Sequence, residues 1–523
     1  MLGWWRRGGD PEWRRLGWEH RQARLTKIEY KASEDSKHMS NHIARRDLLK
    51  SAVLGVPLLG QSASAQNYSF RRMNAGTARV DVTPDRPRYC ASGDKPDPPR
   101  AYAPLISRAL TLFDGRRRMA IVNYPFNGLD VATPILRERC ERELGISPEY
   151  LVLLATHNHQ SPIQIVRDNF DYGRELAEKL FGAIRQAIKN EEGPADLLFG
   201  NGYGYFTRAQ LSHPPDYEIQ VLKTVVGRRT VAMLFNHPTH PQLGPRNMYG
   251  ASHPGFAMDE IEARLPNSTA IYADACGGNQ YTLAPEGTTD PLAACKARGH
   301  ELAKAVLTIA EGALEEVTGP IESRISVLGL PLAEPVPYKR ALELAQGVPL
   351  DVGFKAFPDP LRDTNWIRAL IRHYKQDIPF PTKISDYVCT DEEFLVKELD
   401  EARKYPCRFE EVLGASIGKL TFLAIQGEPL AQIGLRIKEV LRQRGPAMVF
   451  GYFGERNLYI PTRENVRLDL YQAQSLRVQY TCPVGWSLDV EDEMIKGALS
   501  AVGAELYPDP RKQKSYPLRR EEK

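Results

Sequence analysis

The stretch Ala155-Thr156-His157-Asn158-His159-Gln160-Ser161-Pro162 follows an apolar run, residues 150–154, that is typical of a buried strand. Side chains alternate between the two faces of an extended backbone, so His157 and His159 are expected on the same side where this strand ends. Two adjacent imidazoles at a strand end suggest a metal site, but a pair of hydrogen-bonded structural histidines fits the same pattern. The choice depends on whether other strands end in further ligands.

The composition is that of a globular protein. Hydrophobic residues make up 42% and charged residues 26% of the 523 positions. The net charge of +4 is concentrated near the start, because residues 1–38 contribute +3 and residues 39–65 contribute +2, which leaves −1 for the rest. Bulk charge therefore gives no support for nucleic-acid binding. The seven cysteines are scattered without a CxxC pair, which excludes a zinc ribbon and a dense disulfide framework.

The first 65 residues are predicted to lie outside the folded domain. Residues 39–65 combine the pair Arg45-Arg46, a short apolar run and Ala63-Ser64-Ala65, which together indicate a twin-arginine-type export signal. Residues 1–38 then read as an upstream extension without regular structure, and Met39 as the start of the natural protein. We expect a periplasmic or extracellular protein without a transmembrane segment, because the apolar run is too short to span a bilayer.

Strands and helices alternate along residues 66–510, which predicts one α/β domain with mixed β-sheets covered by helices. A hairpin is expected at residues 110–122 around the turn Asp114-Gly115, and a helix from Ala132 to Leu144 that ends at Gly145. Residues 331–410 are less regular and are predicted to form a helical excursion, with helices near 338–346, 364–375 and 392–404. Residues 511–523 read as a polar tail.

Polar residues follow three of the predicted strands. These are His157 with His159, then His237 with His240, and finally Glu428. Two histidines and a carboxylate with one open position form the ligand set of catalytic zinc. Each residue also has a structural explanation, since His237 precedes a proline turn and Glu428 stands where a helix begins.

Several short motifs resemble those of the neutral/alkaline (non-lysosomal) ceramidase family, and they occur along the chain in the family's order. Thr156 to Pro162 resembles the family loop T-H-T-H-S-G-P, and Gly427-Glu428 resembles the segment P-G-E. Other similar segments are Arg79 to Pro84, Asn236 to Thr239, and Tyr459-Ile460-Pro461-Thr462. The resemblance covers about residues 78–505. It implies the ceramidase-like catalytic fold, without the C-terminal immunoglobulin-like domain of the larger members.

The resemblance also implies roles for individual residues. One zinc ion, Zn2+, is expected to be held by His157, His237, Glu428 and Tyr459. His159 and Tyr471 are expected to stabilise the oxyanion or to pass a proton to the leaving amine, and Arg208 is a further candidate for a substrate contact. The implied activity is hydrolysis of an amide (N-acyl) or related acyl bond by a zinc-activated water, in a small-molecule or lipid-like substrate.

The chain departs from the family at the substrate end. The family segment G-D-x-S-P corresponds here to Gly277-Gly278-Asn279-Gln280-Tyr281, which has neither the acid nor the serine, and His253 stands where an aspartate is expected. These departures make ceramide itself a less certain substrate than an N-acyl compound in general. They also leave open a non-catalytic relative that keeps the fold and metal site and binds a lipid or glycan. His240 and His253 either extend the metal cluster or are supporting residues.

Overall fold

Helices and strands alternate along the chain in the computed structural model, which describes residues 72–505 apart from residues 130, 165, 211–212, 356–358, 385, 390–393, 398–405 and 455–457. The strands are β1 (Met73–Asp81), β2 (Ile106–Phe113), β3 (Arg118–Tyr124), β4 (Leu151–Ala155), β5 (Glu192–Tyr203), β6 (Thr207–Ala209), β7 (Glu218–Val226), β8 (Arg229–His237), β9 (Thr269–Asp274), β10 (Gln280–Thr282), β11 (Glu315–Glu316), β12 (Ile321–Pro331), β13 (Lys383–Ile384), β14 (Asp386–Cys389), β15 (Phe394–Lys397), β16 (Cys407–Ile417), β17 (Leu420–Ile425), β18 (Glu428–Pro429), β19 (Ala447–Phe450) and β20 (Tyr459–Ile460). The helices are α1 (Ala132–Leu144), α2 (Phe170–Lys189), α3 (Ser252–Arg264), α4 (Pro291–Glu311), α5 (Tyr338–Leu344), α6 (Asn365–Lys375), α7 (Ala431–Leu441), α8 (Arg463–Arg467), α9 (Tyr471–Val478) and α10 (Val490–Ala501).

Two large sheets contain most of these strands. The first has the order β4-β3-β2-β1-β5-β7-β8-β9, with β11 paired to β5. The second has the order β12-β16-β17-β19, with β13 paired to β16. Most neighbours are antiparallel, but four pairs run parallel: β3 with β4, β8 with β9, β13 with β16, and β17 with β19. Both sheets are therefore mixed, as the alternation of elements predicts.

Alternating hydrophobic residues explain why the two sheets stack. In β17, Phe422 faces a core shared with the first sheet, whereas Leu423 faces the helices on the other side. In β8, Leu234 lies in the same shared core, whereas Phe235 lies under different helices. A strand with apolar residues at both odd and even positions is buried on both faces.

Helices cover the outer face of each sheet. Helices α3 and α4 pack on the first sheet through residues such as Met258 and Val306. Helices α7 and α10 pack on the second sheet through residues such as Ile437 and Met494. The protein is thus a layered α/β structure, and the predicted fold class is confirmed. Within the part of the chain that the structure describes, no helix combines the length and the apolar character needed to cross a bilayer.

The segment between β12 and β16 carries two helices, α5 and α6, which pack together around Ala341 and Leu370. The helix predicted near 392–404 is wrong where the backbone is described, because residues 394–397 form β15, paired antiparallel with β14. The apolar run Phe394-Leu395-Val396 favours a strand. The predicted extension, export signal and polar tail lie outside the described residues.

Candidate metal centre

Glu428 and Tyr459 face each other in a two-stranded parallel ladder formed by β18 and β20. The ladder begins where the Glu428 backbone N–H donates to the Leu458 carbonyl at 2.7 Å. Gly427, just before it, has φ +84°, and a Cβ there would lie 2.6 Å from the Leu458 oxygen. Glycine is therefore required for the two segments to approach each other. The ladder places a carboxylate beside a phenol.

His157 and His159 follow β4, which ends at Ala155. The backbone is not extended there, because His157 has φ 52° in the left-handed region. Strand alternation is therefore not the reason that the two side chains meet. Their Nε2 atoms nevertheless lie 3.4 Å apart, and the ring of His157 stacks on Tyr452 with centroids 4.2 Å apart. His157 is buried, whereas His159 is partly exposed.

His240 is oriented by the loop that follows β9. Its Nδ1 lies 3.0 Å from the carbonyl oxygens of both Gly277 and Gln280. Carbonyls only accept, so Nδ1 carries the proton and Nε2 of the neutral ring keeps its lone pair. That Nε2 accepts from the Tyr459 hydroxyl at 3.1 Å. With Nδ1 held by carbonyls, Nε2 presents its lone pair to the Tyr459 hydroxyl, and this is the lone pair that a histidine metal ligand would use.

These side chains bring their donor atoms together at one point. Glu428 Oε2 lies 3.2 Å from His157 Nε2 and 3.2 Å from His240 Nε2. It is buried and makes no hydrogen bond of acceptable geometry. Among the described residues, ring nitrogens of His157, His159 and His240 lie within 4.8 Å of one another. A tetrahedral zinc ion with bonds of ~2.0–2.1 Å separates its ligand atoms by about 3.3 Å. The separations of 3.1–3.2 Å among His157, His240, Glu428 and Tyr459 fit such an ion.

The electrostatics of the centre favour unprotonated imidazoles beside a carboxylate. Burial lowers the pKa of His157, and burial together with the two neighbouring imidazoles lowers the pKa of His159 well below its ordinary value. Burial disfavours the ionised form of Glu428, but its interactions with His157 and His240 outweigh burial and lower its pKa. At neutral pH these groups therefore offer lone pairs and a negative charge to a cation.

Two tyrosines border the centre, and both phenols keep their protons at neutral pH. Burial raises the pKa of Tyr459 well above its ordinary value and raises that of Tyr471 to about 12. Their rings pack edge to face with centroids 5.7 Å apart. The amide of Gln479 donates to the Tyr471 hydroxyl at 2.8 Å, which leaves the hydroxyl hydrogen available for another acceptor.

The structure does not bring His237 or Arg208 into this group. His237 is the last residue of β8 and lies on the same strand face as Phe235. Its Nε2 is 3.1 Å from the Gly204 carbonyl, and its ring packs 4.8 Å from that of Phe206. Arg208 is exposed on β6, where its Nε donates to the Tyr281 hydroxyl at 2.8 Å. His240, three residues beyond His237, occupies the position by the carboxylate instead.

The residues that differ from the ceramidase pattern lie next to the site and hold its backbone in place. Asn279 accepts from the Ala431 backbone N–H at 3.0 Å and so satisfies the first turn of α7. A Cβ on Gly278 would lie 2.5 Å from the Glu428 carbonyl oxygen. His253 Nε2 lies 3.3 Å from the Thr282 hydroxyl, outside the metal group. The loop at 277–280 is thus packed against both Glu428 and His240.

Sequence reasoning missed two buried neighbours of the centre, Tyr452 and Asp274. Tyr452 supports the ring of His157 by stacking. Asp274 ends β9 and accepts from the Thr239 backbone N–H at 3.1 Å, in the loop that carries His240. Burial raises the pKa of Asp274 well above its ordinary value. The sequence signal that could have indicated Asp274 is its position as an acidic residue at the end of a predicted strand.

No family model and no curated protein matches the chain. Solved structures that are similar to it include two ceramidases. One is a ceramidase complexed with C2, which is 15% identical, with a TM-score of 0.60 over 84% of this chain and 77% of that one. The other is the neutral ceramidase from Pseudomonas aeruginosa, 16% identical, with a TM-score of 0.60 over 84% of this chain and 76% of that one. The resemblance expected from the motifs is confirmed at the level of the fold, which is that of the neutral ceramidases.

Proposed function

We propose that this protein is a zinc-dependent hydrolase that cleaves an amide (N-acyl) bond, with His157, His240, Glu428 and Tyr459 as the zinc ligands. The observation that carries the proposal is the approach of their donor atoms, 3.2 Å from Glu428 to each of His157 and His240 and 3.1 Å from His240 to Tyr459. Three of these residues come from the ligand set that the family resemblance implies, and His240 replaces His237. The likeness of fold to the neutral ceramidases supports the reaction class.

A bound zinc ion would supply Lewis-acid chemistry, which polarises a carbonyl group and makes water a stronger acid. The protein supplies the proton carriers. His159 lies at the partly exposed edge of the centre with its Nε2 3.4 Å from that of His157, where its imidazole can take up and release a proton. Tyr471 keeps its hydroxyl hydrogen and can donate it to a developing oxyanion or to the leaving amine.

The substrate class follows from the fold and from the departures at the loop 277–280. A solved relative is described as a ceramidase complexed with C2, which supports a lipid-like N-acyl substrate. In this chain, however, Asn279 and Gln280 hold structural hydrogen bonds, to Ala431 and to the loop before β7. We therefore propose an N-acyl compound whose amine part differs from that of ceramide.

The decisive experiment combines metal analysis with turnover. Purified protein is expected to contain about one zinc per chain and to release amine from at least one member of a panel of N-acyl sphingosines, N-acyl amino acids and N-acylethanolamines. Glu428→Gln and His240→Ala should lose both properties. His300→Ala should keep both, since the His300 side chain is 57% exposed and pairs with Glu260 on the surface. Protein that lacks a stoichiometric metal and shows no turnover would contradict the proposal.

A second outcome would identify the non-catalytic relative. Full zinc occupancy without release of amine from any compound in the panel would show that the metal centre is kept while the activity is not. The absence of the family's aspartate and serine from residues 277–281 is the observation that favours this alternative.

A further inference from the structure

Gln280, the first residue of β10, is buried beside the loop that follows β8 and carries His240. Its side-chain Nε2 donates to the carbonyl oxygens of Pro238 and Asp216, each at 2.9 Å. Its Oε1 accepts from the backbone N–H of Asp216. A carbonyl only accepts and an N–H only donates, so these partners fix the orientation of the amide group. The side chain of Gln280 therefore links the loop of His240 to the segment before β7.

The backbone of the same residue holds the imidazole of His240. The Gln280 N–H donates to the Gly277 carbonyl at 2.8 Å, which closes a tight turn. The turn brings the carbonyl oxygens of Gly277 and Gln280 to one atom, His240 Nδ1, each at 3.0 Å. Gln280 thus contacts the loop of His240 twice, through its amide at Pro238 and through its carbonyl at the imidazole.

The segment before β7 is itself anchored to helix α7. Lys438 donates to the Asp216 carboxylate at 2.6 Å, and Gln432 donates to the Pro214 carbonyl at 3.1 Å. Both donors lie on α7, which begins three residues after Glu428. One series of hydrogen bonds therefore joins the loop that carries His240 to the element that follows Glu428.

This connection bears on the metal centre because the ligand atoms of an ion must be held closely. His240 Nε2 and Glu428 Oε2 are 3.2 Å apart, and they belong to segments far apart in the chain. Outer partners that orient a ligating histidine contribute ~10–100-fold to metal affinity. Without the amide of Gln280, the carbonyl at His240 Nδ1 loses the side-chain anchor that keeps it in place.

We propose that Gln280 is a positioning residue, which directs the imidazole of His240 toward Glu428 and so sets the geometry of the metal centre. The inference rests on the proposed function, because it takes His240 and Glu428 as metal ligands. It adds to that function a residue that is not itself a ligand and that acts through the carbonyl it presents to His240.

The variant Gln280→Met tests the proposal on the full chain, because methionine keeps the length of the side chain and removes the amide. We expect the affinity for zinc, measured by competition with a chromogenic chelator, to fall by ~10–100-fold. The visible d–d absorption of the cobalt-substituted protein should also change. This spectrum reports the arrangement of ligands around the ion, which a loss of stability alone does not alter.

Gln220→Met is the matched control. Gln220 is also buried, and its amide makes bonds of the same kind with β19. Its Nε2 donates to the Ala447 carbonyl at 2.8 Å, and its Oε1 accepts from the Val449 N–H at 3.0 Å. Each substitution leaves buried backbone groups without a partner, so both variants should unfold at a lower urea concentration than the wild type. Only Gln280→Met should change the zinc affinity and the cobalt spectrum.

Wild-type zinc affinity and an unchanged cobalt spectrum in Gln280→Met would overturn the proposal, as would an equal loss of affinity in Gln220→Met. If Gln280→Met does not fold, Gln280→Asn replaces it, since asparagine keeps the amide but is one methylene too short to reach both Pro238 and Asp216. Wild-type affinity and spectrum in that variant would likewise overturn the proposal.

His240→Ala separates this inference from the proposed function. Retention of wild-type zinc affinity in His240→Ala would refute the ligand set itself. Loss of zinc in His240→Ala, together with wild-type affinity in Gln280→Met, would refute only the role of Gln280. Loss of affinity in both, with Gln220→Met unaffected, is the expected result.

Discussion

The Nε2 atom of His240 lies 3.2 Å from the Oε2 atom of Glu428, whereas the ring of His237, three residues earlier at the end of β8, packs against Gly204 and Phe206. The two histidines therefore face different surroundings although they are close in sequence. This relationship is the reason that the proposed ligand set contains His240 rather than His237.

Replacement of His240 by alanine should remove a direct ligand. Loss of a group that only supports a ligand costs ~10–100-fold in metal affinity, so loss of a ligand should cost more than about 100-fold. Competition with a chromogenic zinc chelator measures this affinity without any need for activity. Zinc affinity within tenfold of the wild type would contradict the ligand set.

Replacement of His237 by alanine should affect stability rather than the metal. The variant loses the partner of the Gly204 carbonyl, and a buried polar group without a partner costs ~1–3 kcal/mol. Urea unfolding should show this loss, while the zinc content stays at the wild-type level. Loss of zinc with unchanged stability would show instead that His237 is a zinc ligand.

Gly278→Ala should disturb the metal centre through the backbone. The new Cβ would lie 2.5 Å from the Glu428 carbonyl oxygen, so the ladder of β18 and β20 must shift. We expect zinc affinity to fall by at least about tenfold, because ligand geometry must be held closely.

The control for this change is Gly182→Ala on helix α2, where nothing lies within 4 Å of the new Cβ. Alanine is favoured over glycine within a helix by ~0.8–1.0 kcal/mol, so this variant should keep zinc and unfold at a slightly higher urea concentration. Equal zinc affinity in the two variants would contradict the role of the loop 277–280.

Acid should destabilise the protein through the buried group of Glu218, Asp216 and Lys438. Lys438 Nζ lies 2.9 Å from Glu218 and 2.6 Å from Asp216. Burial disfavours ionised Glu218, but Lys438 and Arg442 outweigh it and lower its pKa from 4.5 to about 2. Because the pKa of Glu218 is lower in the folded than in the unfolded protein, its ionised carboxylate stabilises the folded state by ~3 kcal/mol. This stabilisation is complete above pH 4.5, the unfolded pKa, and is lost as the pH falls toward 2, the folded pKa.

The measurement is urea unfolding between pH 7 and pH 3 in wild type and Lys438→Met. Removing one partner of a buried ion pair costs ~3–5 kcal/mol, so the variant should be less stable at pH 7, and its stability should depend less on pH between 4.5 and 3. Lys496→Met is the control, because Lys496 is 68% exposed. Identical acid profiles for wild type and Lys438→Met would disprove the coupling.

Much of this site can be predicted from the sequence by looking for polar residues at the ends of predicted strands. His157, His159 and Glu428 each follow a predicted strand, and the helix Ala132–Leu144 ends at Gly145 in the left-handed conformation as expected. Alternation along β8 also places His237 on the face of Phe235. The family motif pointed to His237 instead, because sequence similarity does not report which of two nearby histidines faces Glu428.

Other features depend on contacts between distant segments and could not be predicted. The position of Tyr459 opposite Glu428 is a matter of strand register between segments with no local signal for pairing. The close approach of the His157 and His159 side chains depends on the left-handed backbone conformation at His157. Histidine does not favour this conformation, so it must be stabilised by contacts with the surrounding structure.

The parallel ladder of β18 and β20 joins the segment after β17 to the segment after β19, and β4 reaches the same point through His157. An ion bound there would act as a cross-link between stretches far apart in the chain, much as a disulfide does. Chelation should therefore loosen all of these stretches together, and amide hydrogen exchange around Thr156, Gly427 and Leu458 would then accelerate in concert.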